Sequence, residues 1–264
     1  MKTKHLRLMQ RAYVILFFCF MYLPIAYMVV FSFNQSKGYA LFTGFTFKWY
    51  TSLLHNESIL HALWVSLYLA LFSAVIATVL GTAASLGIAS MGRKSRLLVT
   101  NITYITTVNP EIITGISLMM LFVAYQRFAS ELDFLPDNIM GFPTLLIAHI
   151  TFNIPYVILS VGPKLRQMDK NLVDAAQDLG CTWMQAFWKV ILPEIKPGIV
   201  SGALTAFTMS IDDFVISYFT AGSSVSTLAM TIYGMTKKRV SPQINAISAL
   251  LFGTVLLLLV IINV

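Results

Sequence analysis

The chain has 264 residues, of which 57% are hydrophobic and 11% charged. Soluble domains carry about 25% charged residues, so this composition argues for a membrane protein and against a large soluble core. The net charge of +7 is scattered through short loops and forms no basic stripe, which argues against a nucleic-acid surface. The two cysteines, Cys19 and Cys181, offer neither a disulfide framework nor metal-ligand spacing.

Six apolar segments are long enough to span a bilayer, for which about 20 residues suffice. They cover 12–33, 62–90, 98–125, 142–162, 198–220 and 244–264. The first follows a basic start, "MKTKHLRLMQR", as a signal peptide would. Its apolar run exceeds the roughly 7–15 residues of such a segment and lacks a small-x-small cleavage site, so it reads as a retained span. The outer loop 34–61 contains "FTFKWYTSLL", whose Trp49 and Tyr50 suit an interfacial aromatic belt or, alternatively, contact with an extracytoplasmic partner. "NES" at 56–58 is a formal glycosylation acceptor, a pattern with many false positives.

Loop charges set the expected orientation. Lys2, Lys4, Arg7, Arg11, Arg93, Lys94, Arg96, Lys164, Arg166, Lys170, Lys189 and Lys196 lie on one side. Lys37, Lys48, Arg127, Lys237, Lys238 and Arg239 lie on the other. The basic excess predicts that both termini are cytoplasmic, with the cluster Lys237-Lys238-Arg239 running against the rule. The last span reaches Val264 without a basic anchor, from which a longer natural chain is expected.

The fourth loop, about 169–193, is polar but patterned. "NLVDAAQDLG" predicts a short helix capped by Asn171, with Asp174 in its first turn and Gly180 as its stop. "TWMQ" restarts the chain with a capping box from Thr182 to Gln185. Pro193 is expected to end that second helix and Pro197 to begin the next span. Ala175 and Ala176 leave one helix face without bulk, open to close approach by another surface or simply part of a connector.

The run "DAAQDLGCTWMQAFWKVILP" resembles the EAA loop of ABC importer permeases: Asp174-Ala175-Ala176, then Gly180, Val190 and Leu192-Pro193 at that pattern's spacing. Asp stands where the pattern has Glu, and Val where it has Ile. "FKWYTSLL", "NPEIITGISLMMLF", "HITFNIPYVI", "SIDDFVISYFTAG" and "VSPQINA" extend the similarity to the second permease of spermidine/putrescine importers. The resemblance implies an all-α membrane protein with the six-helix type I ABC importer permease fold in one domain, residues 1–264. It also implies that Asp174, Ala175, Ala176, Gly180, Leu192 and Pro193 couple the chain to an ATPase. Implied partners are a sister permease (PotB-like), two copies of a cytoplasmic ATPase (PotA-like) and an extracytoplasmic substrate-binding protein (PotD-like).

Three acids fall within the proposed spans: Glu111, Asp212 and Asp213. No Lys or Arg lies well inside a span to pair with them, and such acids usually face a protein interior or a watery path. A polyamine would supply the missing cation, with Phe214, Tyr218 and Tyr104 available as aromatic walls. On one continuous helix, Asp212 and Asp213 diverge by about 100°. One is then expected to bind cargo, and the other to cap backbone donors or meet the sister permease. Glu111 follows Pro110, which tends to kink a helix and free backbone groups to line a cavity. His149 reads as a hydrogen-bonded structural histidine before a ligand.

No phosphate loop of the form G-x-x-x-x-G-K-[ST] is present, so ATP hydrolysis is expected in a partner and no cofactor or catalytic residue in this chain. Adjacent aspartates on one helix form a poor proton-sharing dyad, and H-E-x-x-H and G-x-S-x-G are both missing, which argues against an intramembrane protease. A permease for another solute (a metal ion, thiamine or an anion) is the alternative, with the three acids disfavouring an anion.

Overall fold

The computed structural model describes residues 2–37, 41–130, 140–169, 171–238 and 242–263. Lys170, Arg239 and Val264, which entered the charge and terminus arguments, lie outside them. The regular secondary structure of the described residues is helical, apart from one isolated antiparallel bridge between Asn34 and Phe45. Its contacts divide into two units, residues 1–61 with 232–264, and residues 62–231.

In the first unit, α1 (Lys2–Phe31) and α2 (Lys48–Leu54) both pack on α12 (Pro242–Asn263). Tyr13, Leu16, Phe20 and Leu23 of α1 are all exposed, as expected of a helix that is apolar all round and meets lipid or another protein. The loop between α1 and α2 is tightly built around Asn34. Its side chain donates to the Leu41 carbonyl at 3.0 Å and accepts the Thr43 backbone N–H at 2.9 Å. Trp49 is buried and donates its indole N–H to the Asn34 carbonyl at 2.7 Å. The expected interfacial role of Trp49 is therefore corrected: its ring belongs to the core of its own loop, because a buried indole needs an acceptor that a lipid tail lacks. Gln243 reaches across to the Ser52 hydroxyl at 2.6 Å. The Lys237 ammonium sits 4.7 Å from the Tyr233 ring centroid.

The second unit contains most of α3 (Glu57–Ser90), then α4 (Arg93–Val108), α5 (Glu111–Ser130), α6 (Phe142–Gln167), α7 (Asn171–Asp178), α8 (Trp183–Ala186), α9 (Leu192–Asp212) and α10 (Val215–Thr220). A further helix, α11 (Leu228–Lys238), straddles the boundary between the units. Asn56, which sequence marks as a glycosylation acceptor, accepts the Ile59 backbone N–H at the start of α3.

The packing of α6 on α9 is organised by residue size. Gly198, Gly202, Ala206 and Ser210 recur every fourth residue on α9 and are all buried. A β-carbon at Gly198 would sit 2.9 Å from the Ser160 carbonyl oxygen, and one at Gly202 would sit 3.2 Å from the Val157 α-carbon. Small residues at that spacing let two backbones approach, which is how helices associate where lipid tails cancel the hydrophobic driving force. Val157, Val161 and Ile195 fill the remaining core between these helices and α3.

Five described helical stretches are long and apolar enough to cross a membrane: Met9–Phe31, Glu57–Ser90, Glu111–Ser130, Phe142–Gln167 and Trp183–Asp212. A shorter apolar stretch, Pro242–Leu257, stands where the sixth span is expected. Two expected spans are interrupted. The segment 98–125 breaks at Asn109–Pro110, because Pro110 lacks an N–H and pushes the preceding Asn109 to an extended ψ of 133°. The segment 198–220 breaks at Asp213, whose ψ of 123° ends α9.

The junction after the fourth loop also differs from expectation. Pro193 does not end a helix, and Pro197 does not begin one. The chain runs from Trp183 to Asp212 through one π-helical turn, Phe187–Ile191. The wider turn carries the Leu192 N–H back to the Phe187 carbonyl and makes room for the Pro193 ring, which a regular turn would drive into a carbonyl.

Candidate functional site: an acidic helix break

The break at Asp213 assigns different environments to the two neighbouring aspartates. Asp212 is the last residue of α9 and is exposed; Asp213 is buried. The Asp213 carboxylate accepts the backbone N–H of Ser217 at 2.8 Å and of Ile216 at 3.3 Å. An aspartate placed before a helical turn satisfies donors that have no carbonyl partner, and so competes with helix continuation. The two residues therefore do not share one helix, and the 100° argument does not apply to them. Their separation comes from a chain break.

A buried polar cluster pins the break. His149 on α6 reaches Ser210 on α9 through Nδ1 at 3.1 Å and Ser217 on α10 through Nε2 at 3.0 Å. Its Nε2 also lies 3.5 Å from an Asp213 oxygen. Asn153 donates to Ser210 Oγ at 2.7 Å, and Ser73 on α3 lies 2.8 Å from the same oxygen. The far end of α10 is tied down by Thr144, whose hydroxyl donates to the Thr220 carbonyl at 2.8 Å. Buried polar groups of this kind cost roughly 1–3 kcal/mol each when left unpaired, so the set specifies one geometry of the break.

Glu111 opens α5 directly after the Asn109–Pro110 break and is exposed. α5 closes on α10 at Gly115, where a β-carbon would meet the Phe219 ring at 3.0 Å. This crossing brings Glu111 within electrostatic reach of both Asp212 and Asp213. Tyr156 on α6 falls within reach of Glu111 in turn. Phe214 and Tyr218 pair at 5.5 Å between ring centroids, and Tyr218 is 54% exposed. Tyr104 instead lines an open recess of about 440 Å³ beside Val108 and Pro110. Among the described residues, neither Asp212 nor Glu111 has a Lys, Arg or His ion-pair partner. No group of three or more His, Cys, Asp or Glu among them could hold a metal ion.

Sequence reasoning passed over Tyr156, and it passed over the small-residue ladder from Gly198 to Ser210. The ladder is visible as a four-residue repeat; Tyr156 is marked by nothing except its place one turn after Phe152.

The fourth loop has the two-helix form expected, with one change at its start. Asn171 lies inside α7, and Asp169 takes the capping role by accepting the Asn171 backbone N–H at 3.0 Å. Gly180 has φ of +87°. Its N–H bonds the Gln177 carbonyl at 2.8 Å, while Cys181 N–H bonds the Ala176 carbonyl at 3.0 Å. This pair of bonds is the Schellman termination, and it selects glycine. The Thr182–Gln185 capping box closes in both directions, at 2.9 and 3.3 Å. Asp174, Ala175, Gly180 and Pro193 are exposed, Leu192 is half-buried, and Ala176 packs inward.

Helices long and apolar enough to cross a membrane, acids at helix breaks and a folded polar loop mark the class as a membrane protein with a polar path among its helices. Residues 77–264 match the family described as "Binding-protein-dependent transport system inner membrane component", and the chain belongs to that family. It is a multi-pass membrane protein and a transport subunit.

Among known proteins, the chain is 37% identical to "Putrescine transport system permease protein PotI" of Escherichia coli (strain K12), over 92% of this chain and 85% of that one. It is 34% identical to "Spermidine/putrescine transport system permease protein PotC" of the same strain, over 93% of this chain and 89% of that one. The Haemophilus influenzae PotC is 30% identical over 96% and 94%. The fold is shared with a bacterial alginate ABC transporter solved in complex with its pentasaccharide-bound periplasmic protein, at a TM-score of 0.72 and 18% identity, covering 99% of this chain and 92% of that one. The resemblance carried by the fourth loop is thus borne out at the level of the family.

Proposed function

We propose that this chain is the permease subunit of an ATP-driven ABC importer of polyamines, spermidine or putrescine, and that Asp212 is its principal cargo contact. The observation that carries the reading is the exposed Asp212 carboxylate at the carboxyl end of α9. A helix end of that polarity carries about half a negative charge, so a carboxylate there is repelled unless a cation joins it. Asp213 and Glu111 stand at the opposite kind of end, before α10 and at the start of α5, where backbone N–H groups favour an acid. Glu111 then adds charge within reach, and Phe214 and Tyr218 offer ring faces to methylenes and ammonium groups. The names of the PotI and PotC relatives support the same cargo class.

In this reading, residues 1–264 form one permease domain with six spans and both termini cytoplasmic. It pairs with a PotB-like sister permease to make the membrane pathway. An extracytoplasmic PotD-like protein delivers the polyamine. Two PotA-like ATPases hydrolyse ATP and drive alternating access through the loop bearing Asp174, Ala175, Ala176, Gly180, Leu192 and Pro193. The folded loop, stopped at Gly180 and restarted at Thr182, supports that coupling role.

The test is uptake of labelled spermidine and putrescine by the reconstituted importer. Asp212→Asn is expected to lower uptake by about tenfold to a hundredfold, since a hydrogen bond to a charged group contributes roughly 1.5–3 kcal/mol. Unchanged uptake and unchanged transport-coupled ATPase in both Asp212→Asn and Glu111→Gln would overturn the reading.

A further inference from the structure

A cavity of about 590 Å³ opens between the end of α3, the start of α4, the end of α6 and the α8–π-turn junction. Its lining divides by chemistry. Ile88 and Leu159 form apolar wall, while Arg96 and Arg166 bring two guanidinium groups and Trp183, 60% exposed, stands among them. No Asp or Glu lines it. Among the described residues neither arginine is within ion-pair distance of an acid.

Arg96 is held in place by its own chain. Its Nη2 donates to the carbonyls of Ala89 at 2.6 Å and Met91 at 2.8 Å, closing the end of α3. Its Nε is buried and has no partner. With Nη2 committed to two carbonyls and Nε closed off, what Arg96 contributes to the cavity is its fixed charge, and the natural complement of two guanidinium groups without an acid is an anion such as a phosphate. The apolar walls are superfluous for a free anion but suit an acyl chain. An interfacial tryptophan and a basic pocket at the ends of membrane helices are the features that recognise anionic headgroups.

We infer that this cavity binds one anionic phospholipid, its phosphate on Arg96 and Arg166 and an acyl chain along Ile88 and Leu159. The site lies in the cytoplasmic leaflet, a placement that rests on the orientation adopted under the proposed function. α8 and the π-helical turn form one wall, so the bound lipid props the root of the fourth loop.

Gly162 supplies an independent probe. It lines the cavity, and a β-carbon there would meet nothing within 4 Å. Gly162→Phe therefore fills the space without touching an arginine. The assembled importer is delipidated in detergent and titrated with phosphatidylglycerol or phosphatidylcholine of matched chains, with bound lipid counted by native mass spectrometry. Wild type is expected to hold one phosphatidylglycerol in preference to phosphatidylcholine, and Gly162→Phe to lose it. Arg166→Gln, which changes an exposed side chain, is expected to reduce the preference about fivefold, the factor that roughly 1 kcal/mol for one basic residue near an anionic surface represents.

Equal binding of the two lipids overturns the inference. So does full retention in Gly162→Phe, or displacement of the lipid by inorganic phosphate alone, which would mark a small-anion site. Where Gly162→Phe fails to assemble, Arg166→Gln decides. The readout needs no cargo, so failure of the polyamine reading leaves it intact. Ser95→Cys, in a background with Cys19→Ser and Cys181→Ser, tests the leaflet: labelling by an impermeant maleimide from outside whole cells overturns the cytoplasmic placement.

Discussion

The Asp213 carboxylate accepts the Ser217 backbone N–H at 2.8 Å across the break between α9 and α10. The bond turns a residue that looks like a buried charge into the start of a new helix. Asp213→Ala is expected to lower stability by about 1–2 kcal/mol, the usual loss for a removed helix cap. Asp212→Asn is expected to leave stability near wild type and to act on uptake alone. Thermal unfolding of the purified importer, set beside spermidine uptake, separates the two.

His149 joins α9 and α10 by contacting Ser210 and Ser217 at once. His149→Ala leaves the Ser217 hydroxyl without its partner in a dry interior, while Ser210 keeps Asn153 and Ser73, and is expected to cost roughly 1–3 kcal/mol. His149→Gln, long enough to reach one serine, is expected to recover part of that loss. A melting temperature equal to wild type in His149→Ala would show that the cluster does not hold the break.

Gly198 faces the Ser160 carbonyl so closely that any β-carbon collides with it. Gly198→Val is expected to push α9 off α6 and destabilise the protein by about 1–3 kcal/mol, the range for overpacked sites. Gly162→Ala, with open space around it inside α6, is expected to hold or raise stability, by up to about 1 kcal/mol. Side-by-side thermal melts of the two variants measure the contrast.

Gly180→Pro removes the N–H that bonds the Gln177 carbonyl and forbids the φ of +87°. It is expected to unseat the join between α7 and α8 while leaving membrane insertion unchanged. Loss of ATPase co-purification with normal membrane levels of the chain is the expected result. Normal co-purification would detach the Gly180 turn from coupling.

Local chemistry made much of this legible before any fold was known. The Gly180 stop and the Thr182–Gln185 box each depend on neighbours a few residues away, and each is found as expected; the six apolar runs are found as five spans and a shorter stretch, two of the expected runs being broken. Pro110 likewise announces its own break, since a missing N–H acts on the adjacent turn. Other features were misread because their causes lie elsewhere in the chain. Pro193 signals a helix end by itself, yet the packed π-helical turn absorbs it. Trp49 reads as an interfacial anchor until the loop around Asn34 encloses it.

The aspartate pair divides most sharply along this line. By itself the sequence determined that two carboxylates stand in an apolar segment without a nearby Lys or Arg, and so that something must compensate them. Only the tertiary structure decided which of them the protein satisfies. His149 and Asn153, more than fifty residues earlier, meet Ser210 and help hold the break open, and Asp213 then turns inward onto the α10 backbone while Asp212 remains exposed. The donors that Asp213 satisfies are only three and four residues on, but which of the two adjacent aspartates stands at the break depends on the buried cluster around Ser210 that holds the end of α9.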